Sequence, residues 1–267
     1  MDSNVTLLNF DGAYKSQSFY QNIHYDWLEL EVIPNTNLLC EKDNLLLIDE
    51  KLIERRQSGI HYLGSGNHHY ISYLLQSRIE KPYTLILFDH HTDTLPSPSE
   101  ELTSCGSWVL ASLQHLPMLQ KVFIIGVGEG APQHIPTSVN TKVVTYTENS
   151  LQSNFSSITK SIIKNIPTDS VYISIDKDVL DKKDAVTGWD HGTLGLKQMM
   201  KMVKAFFRNK DTIGIDVCGE YPVSPTNAYQ KQTKDAIEQN DHANGYILEL
   251  IKKWTGYDNE SPVLLHA

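Results

Sequence analysis

Seven short apolar runs, none of them alternating with polar residues, limit what this chain can become. They are Val5–Phe10, Ile60–Leu63, Thr84–Phe88, Lys121–Val127, Lys142–Thr145, Val171–Ile175 and Thr212–Val217. A strand with one wet face alternates apolar and polar side chains, whereas a strand covered on both faces does not. Unbroken runs of this kind belong to parallel sheets held between helices. Longer amphipathic stretches near His68–Ser77, Ser104–His115, Leu151–Asn165, Leu196–Arg208 and Thr233–Trp254 read as helices. The alternation predicts an α/β fold, a three-layer αβα arrangement with a mostly parallel central sheet, as one domain over residues 1–267. Hydrophobic residues, at 40%, suffice for such a core.

Ligands of parallel sheets bind beyond the carboxyl ends of the strands, so the residues that follow each run matter most. Gly64-Ser65-Gly66-Asn67-His68-His69-Tyr70 follows the second run, and Asp89-His90-His91-Thr92-Asp93 follows the third. Asp176 and Asp178 stand at the end of the Val171–Ile175 run, and Asp216 and Glu220 at the end of Thr212–Val217. In extended backbone, residues i, i+2 and i+4 face one side. Asp89, His91 and Asp93 therefore project together, as do Asp176 and Asp178, and His68 completes a set of four carboxylates and two imidazoles. Four carboxylates at one place repel unless cations offset them. Two divalent ions would do so, and mixed nitrogen and oxygen ligands suit Mn as well as Zn, Fe or Co. Each piece alone has an ordinary explanation, since Asp after a strand often caps a helix. The combination in register with several strand ends is much harder to explain that way.

Charge and cysteine usage narrow the function classes. A net charge of −9 argues against a nucleic-acid binder, which needs clustered Lys and Arg. Cys40, Cys105 and Cys218 lie far apart with no CxxC, so neither a disulfide framework nor a zinc knuckle is expected, and a reducing cytoplasm is. No stretch approaches the roughly 20 apolar residues of a membrane helix, and the amino-terminal segment has no signal-peptide pattern.

Three motifs resemble, in order, those of the arginase/agmatinase (ureohydrolase) superfamily. GSGNHH is similar to its Gly-Gly-Asp-His-Ser segment, DHHTD to Asp-Ala-His-x-Asp, and SIDKDVLD to Ser-x-Asp-x-Asp-x-x-Asp-Pro. The resemblance spans about residues 60 to 222 and implies an arginase-like fold with eight parallel strands. It implies two Mn ions, one held by His68, Asp89, Asp93 and Asp176, the other by Asp89, His91, Asp176 and Asp178. It further implies a small-molecule substrate, hydrolysis of a C–N bond at a guanidino, amidino or formimino carbon by a metal-bridging hydroxide, and homo-oligomers.

The residues expected around a substrate depart from the family pattern. Cys105 stands where the family often carries a His that handles protons; it is either a spectator near a helix start or a thiol of lowered pKa. Glu220 falls one residue late in Asp216-Val-Cys-Gly-Glu220; it either receives a cationic substrate group or caps a turn. His191, in Gly188-Trp189-Asp190-His191-Gly192, is either an acid or base or part of a solvated loop. Standard arginase or agmatinase activity is therefore not expected, and a different guanidino, ureido or formimino substrate is. Two other readings remain open at this point: a dimanganese phosphoesterase, suggested by the literal Asp-His-His, and a non-catalytic metal-binding protein on the same scaffold.

Overall fold

A computed structural model of the chain describes residues 4–53 and 59–255. In chain order its elements are β1 (Val5–Asn9), β2 (Asp26–Glu29), β3 (Leu39–Glu41), α1 (Lys42–Ile53), β4 (Ile60–Tyr62), α2 (Ile71–Ser77), β5 (Tyr83–Phe88), β6 (Leu102–Ser104), α3 (Trp108–His115), β7 (Leu119–Val127), β8 (Val143–Thr147), α4 (Glu148–Asn165), β9 (Ser170–Asp176), α5 (Leu196–Asn209), β10 (Asp211–Cys218) and α6 (Lys231–Thr255). Eight strands form one sheet in the order β2-β1-β4-β10-β9-β5-β7-β8. Every neighbouring pair in it is parallel.

Six of the seven unbroken apolar runs become strands largely buried on both faces, and the seventh becomes the half-buried edge strand β8. In β5, Leu85 and Leu87 join a core shared with α1, α2 and α3, while Ile86 and Phe88 join the opposite core, shared with α4, α5 and α6. Neither face meets water, so neither selects polar residues. α5 shows the helical counterpart. Its buried Leu196, Met199, Met200, Val203 and Phe206 recur at three- and four-residue intervals and form a single stripe.

Three features lie outside the sequence pattern. The eighth strand, β2, is a four-residue edge strand whose Trp27 and Leu28 are too short a run to register. α1 buries Leu45, Ile48 and Leu52 but leaves Leu46, Leu47 and Ile53 exposed, which blurs its periodicity. The helix expected from Ser104 begins at Trp108, because residues 102–104 instead form β6, which pairs antiparallel with β3.

Candidate metal centre

Three central strands deliver the candidate ligands to one edge, β5 and β9 the aspartates and β4 a histidine. β5 ends at Phe88 and Asp89 follows; β9 ends at Asp176, and a single 3₁₀ turn over Lys177–Val179 carries Asp178. β4 leads into a 3₁₀ turn over Gly66–His68 and on to His69. His69 Nδ1 lies 3.4 Å from Asp89 Oδ2, 3.3 Å from Asp93 Oδ2 and 3.6 Å from Asp176 Oδ2. His91 Nδ1 lies 2.9 Å from Asp178 Oδ2 and 3.5 Å from Asp89 Oδ1. Two ligand groups, His69/Asp89/Asp93 and Asp89/His91/Asp178, therefore share Asp89. Cys218 joins His69 and Asp176 in a third, with its Sγ 3.1 Å from Asp176 Oδ2.

The structure places His69, not His68, among the carboxylates. His68 stacks on Phe10 with ring centroids 4.4 Å apart, and its Nδ1 is 3.8 Å from Asp11. Neighbouring residues in a 3₁₀ turn point roughly 120° apart, so a shift of one residue in matching the short Gly-rich motif exchanges the two imidazoles. The adjacent His-His pair was the signal that the second histidine was a candidate too.

Each carboxylate has one oxygen anchored by the protein. The His91 N–H donates to Asp89 Oδ1 at 2.6 Å, the Asp178 N–H to Asp176 Oδ1 at 2.9 Å and the His90 N–H to Asp178 Oδ1 at 3.0 Å. Trp108 Nε1 donates to Asp93 Oδ2 at 2.6 Å, while the Asp93 backbone takes a left-handed φ of 50° and its carbonyl accepts from Val109 N. Gly66 permits the close approach of the first loop, since a Cβ there would sit 2.8 Å from Asp176 Oδ2. Behind the site, His69 Nε2 is 2.8 Å from Ser174 Oγ, which donates to Asp216 Oδ1 at 2.6 Å, and Tyr172 OH donates to Asp216 Oδ2.

The electrostatics show a surplus of negative charge. Burial, together with the charges of Asp176 and Asp89, holds the Asp178 carboxyl well above its ordinary range. Burial and Asp89 raise Asp93 to about 6 and also raise Asp176. Burial pushes His91 down, but hydrogen bonds from the imidazole to Asp178 and Asp89 outweigh it and bring the ring to about 12. Asp89 Oδ2 is buried without a hydrogen-bond partner among the described residues. A buried carboxylate oxygen that faces other carboxylates and an imidazole nitrogen is what a divalent cation would satisfy, so the donor set fits one.

The three residues put forward for catalysis fare differently. Cys105 lines the cavity over the aspartates, but burial and the Asp93 charge push its thiol up to about 12, away from thiolate character. Glu220 is buried elsewhere. It ion-pairs with Lys177 and accepts from Gln17 Nε2 at 2.7 Å and Asn244 Nδ2 at 2.8 Å. Gly219, at a φ of 93°, turns the chain so that this carboxylate enters the network rather than the cavity. His191 has both ring nitrogens engaged, Nε2 accepting from Thr187 N at 3.1 Å and Nδ1 donating to Leu180 O at 3.0 Å. That pairing makes it a brace of its loop, and it does not line the cavity.

The cavity holds about 380 Å³ and is floored by His69, Asp89, His91, Asp93, Asp176 and Asp178. His134, absent from the sequence reading, lines it from the 3₁₀ turn after β7; no spacing motif marks it. A larger cavity of about 810 Å³ between Lys42 and His115 carries no comparable cluster of ligands among the described residues.

The sequence model of the arginase family matches residues 15–239. An uncharacterized protein of Thermotoga maritima is 28% identical over 216 residues, which are 81% of this chain and 79% of that one. Among solved structures, a hypothetical agmatinase from Burkholderia thailandensis superimposes with a TM-score of 0.68 at 16% identity, covering 96% of this chain and 87% of that one. Arginase from Bacillus subtilis gives 0.67 at 15% identity, covering 98% and 100% of the two chains. Formimidoylglutamase from Bacillus subtilis gives 0.64 at 16% identity, covering 94% and 88%.

Proposed function

Because this chain belongs to the arginase family, we propose that it is a metal-dependent hydrolase that breaks a C–N bond at a planar, nitrogen-bearing carbon of a small molecule. The guanidino, amidino, formimino and ureido groups are the candidates. The observation that carries the reading is the pair of adjacent ligand groups sharing Asp89, whose Oδ2 is otherwise unsatisfied. His69, Asp89, Asp93 and Asp176 would hold one cation, and Asp89, His91 and Asp178 the other, with manganese as the proposed metal. Two such cations lower the pKa of water enough to supply a nucleophile at neutral pH.

The chain's own residues set the geometry for this. Ser174 Oγ gives its proton to Asp216, so it accepts the Nε2–H of His69. That leaves the Nδ1 lone pair of His69 free to face the aspartates, a tautomer fixed from behind. The backbone N–H groups of His90, His91 and Asp178 hold one oxygen of each of three carboxylates and leave the other facing inward. Trp189 closes one side of the cavity, its Nε1 tied to Asn67 Oδ1 at 2.9 Å. A phosphoester substrate finds no Lys or Arg lining the cavity among the described residues, which disfavours the phosphoesterase alternative. The three free thiols fit the proposed cytoplasmic location.

The test is elemental analysis after Mn loading and desalting, followed by a screen for release of urea or ammonia. Close to two Mn per chain with turnover supports the reading. None, or two with no C–N substrate turned over, overturns it.

A further inference from the structure

The charge around the cavity points to what its substrate lacks. Apart from Asp89, Asp93, Asp176 and Asp178, no acidic residue lines it among the described residues. Two divalent cations would balance those four aspartates. Glu220, the other carboxylate with a claim on a cationic substrate, is neutralised by Lys177 at full burial. A positively charged group entering the loaded cavity would therefore find no carboxylate left to pair with, and a desolvated charge without such a partner is costly. The walls above the aspartates are hydrocarbon: Leu38, Leu39, Leu95 and Trp189 line the mouth and are 36–50% exposed. Trp189 is held in place through Asn67, which is itself bonded to Asn37 at 2.8 Å, and its ring meets His91 edge-on at 5.7 Å. The apolar wall is thus built before any ligand arrives.

We propose that the substrate is an uncharged ureide with a short apolar tail, rather than a guanidinium or amidinium cation. This deepens, and rests on, the reading of the site as a two-cation C–N hydrolase. Replacing the charged C=NH₂⁺ of a guanidinium with C=O keeps the planar carbon and both flanking nitrogens but removes the charge the cavity does not match. In the reaction, water adds to the carbonyl carbon and the bond from that carbon to the tail nitrogen breaks. The tail nitrogen takes up a proton derived from the water and leaves as an amine. The remainder is carbamic acid, which decomposes to ammonia and carbon dioxide. The tail lies against leucine and tryptophan, where each buried methylene is worth about fourfold in binding.

The experiment compares N-butylurea, N-butylguanidine and agmatine, matched in tail length, on the Mn-loaded protein. Calorimetry reads binding, ammonia release reads turnover, and metal is counted in the same sample. The expected result is two Mn per chain and N-butylurea bound at least tenfold tighter than either cation. Affinity should fall about fourfold for each methylene removed down to N-methylurea. Trp189→Ala should flatten that dependence on tail length while keeping its metal. With two Mn present, equal or tighter binding of the cations, or no binding of any of the three, overturns the proposal and leaves the metal reading standing. Failure to load two cations removes the charge balance and overturns both.

Discussion

At the scale of single residues, the neighbours His68 and His69 divide the work of the first loop. His69 lies within 3.6 Å of three aspartates, whereas His68 stacks on Phe10. His69→Ala is therefore expected to weaken metal binding by at least about tenfold, read by competition with a chelator. His68→Ala should keep the metal and instead cost about 1–2 kcal/mol of stability in a denaturant titration. The opposite pattern would return the ligand role to His68. This contrast also marks what sequence can carry. Asp89, His91 and Asp93, and likewise Asp176 and Asp178, were legible because they directly follow apolar runs that end as strands, although Asp178 sits on a 3₁₀ turn and Asp93 at a left-handed φ rather than in the extended backbone expected. His69 was not, because in a 3₁₀ turn one residue's difference swings the side chain by roughly 120°. Glu220 was misplaced for a similar reason: the left-handed Gly219 before it redirects the chain, and a glycine's φ is not written in its neighbours.

At the scale of elements, the strands read from their two-sided burial all appear, while β2, β3, β6 and α1 do not stand out. The three strands are only three or four residues long, too short for a period to register, and α1 exposes Leu46, Leu47 and Ile53. The elements are tied together by a buried polar network that no local pattern reveals. Lys177, just after β9, meets Glu220, beyond β10, and Asn244 of α6, while Gln17 reaches both Glu220 and Asn244 from beyond β1. Lys177→Met leaves the Glu220 charge buried without its partner and is expected to cost about 3–5 kcal/mol. Adding Glu220→Gln should recover most of that loss, as measured by chemical denaturation. If the double variant is as unstable as the single one, the network is held by packing and not by charge pairing.

At the scale of the whole molecule, stability should depend on acid through a buried group that does not line the cavity. His61, in β4, is buried, and burial lowers it from an ordinary 6.5 to about 4. A folded-state pKa below the unfolded one means that the neutral form supports the fold. Its contribution is complete above 6.5 and is lost as the pH falls from there toward 4. At about 1.4 kcal/mol per unit, the difference amounts to about 3 kcal/mol at most. Wild type should lose that much more stability than His61→Leu between pH 7 and 4, measured by urea unfolding at each pH; equal losses would remove His61 as the source. The order of the strands carries a separate consequence. Among the described residues β10 is the last strand made, yet it lies between β4 and β9, joining a three-stranded half to a four-stranded half. Until residues 211–218 leave the ribosome, both halves expose the inner edges that will become the middle of the sheet. Between the completion of β9 at residue 176 and of β10 at residue 218, a nascent chain of this protein carries two unpaired edges open to wrong partners. Chains cut short before that strand should need chaperones or proteolysis, whereas the full-length chain closes the gap with its own late segment.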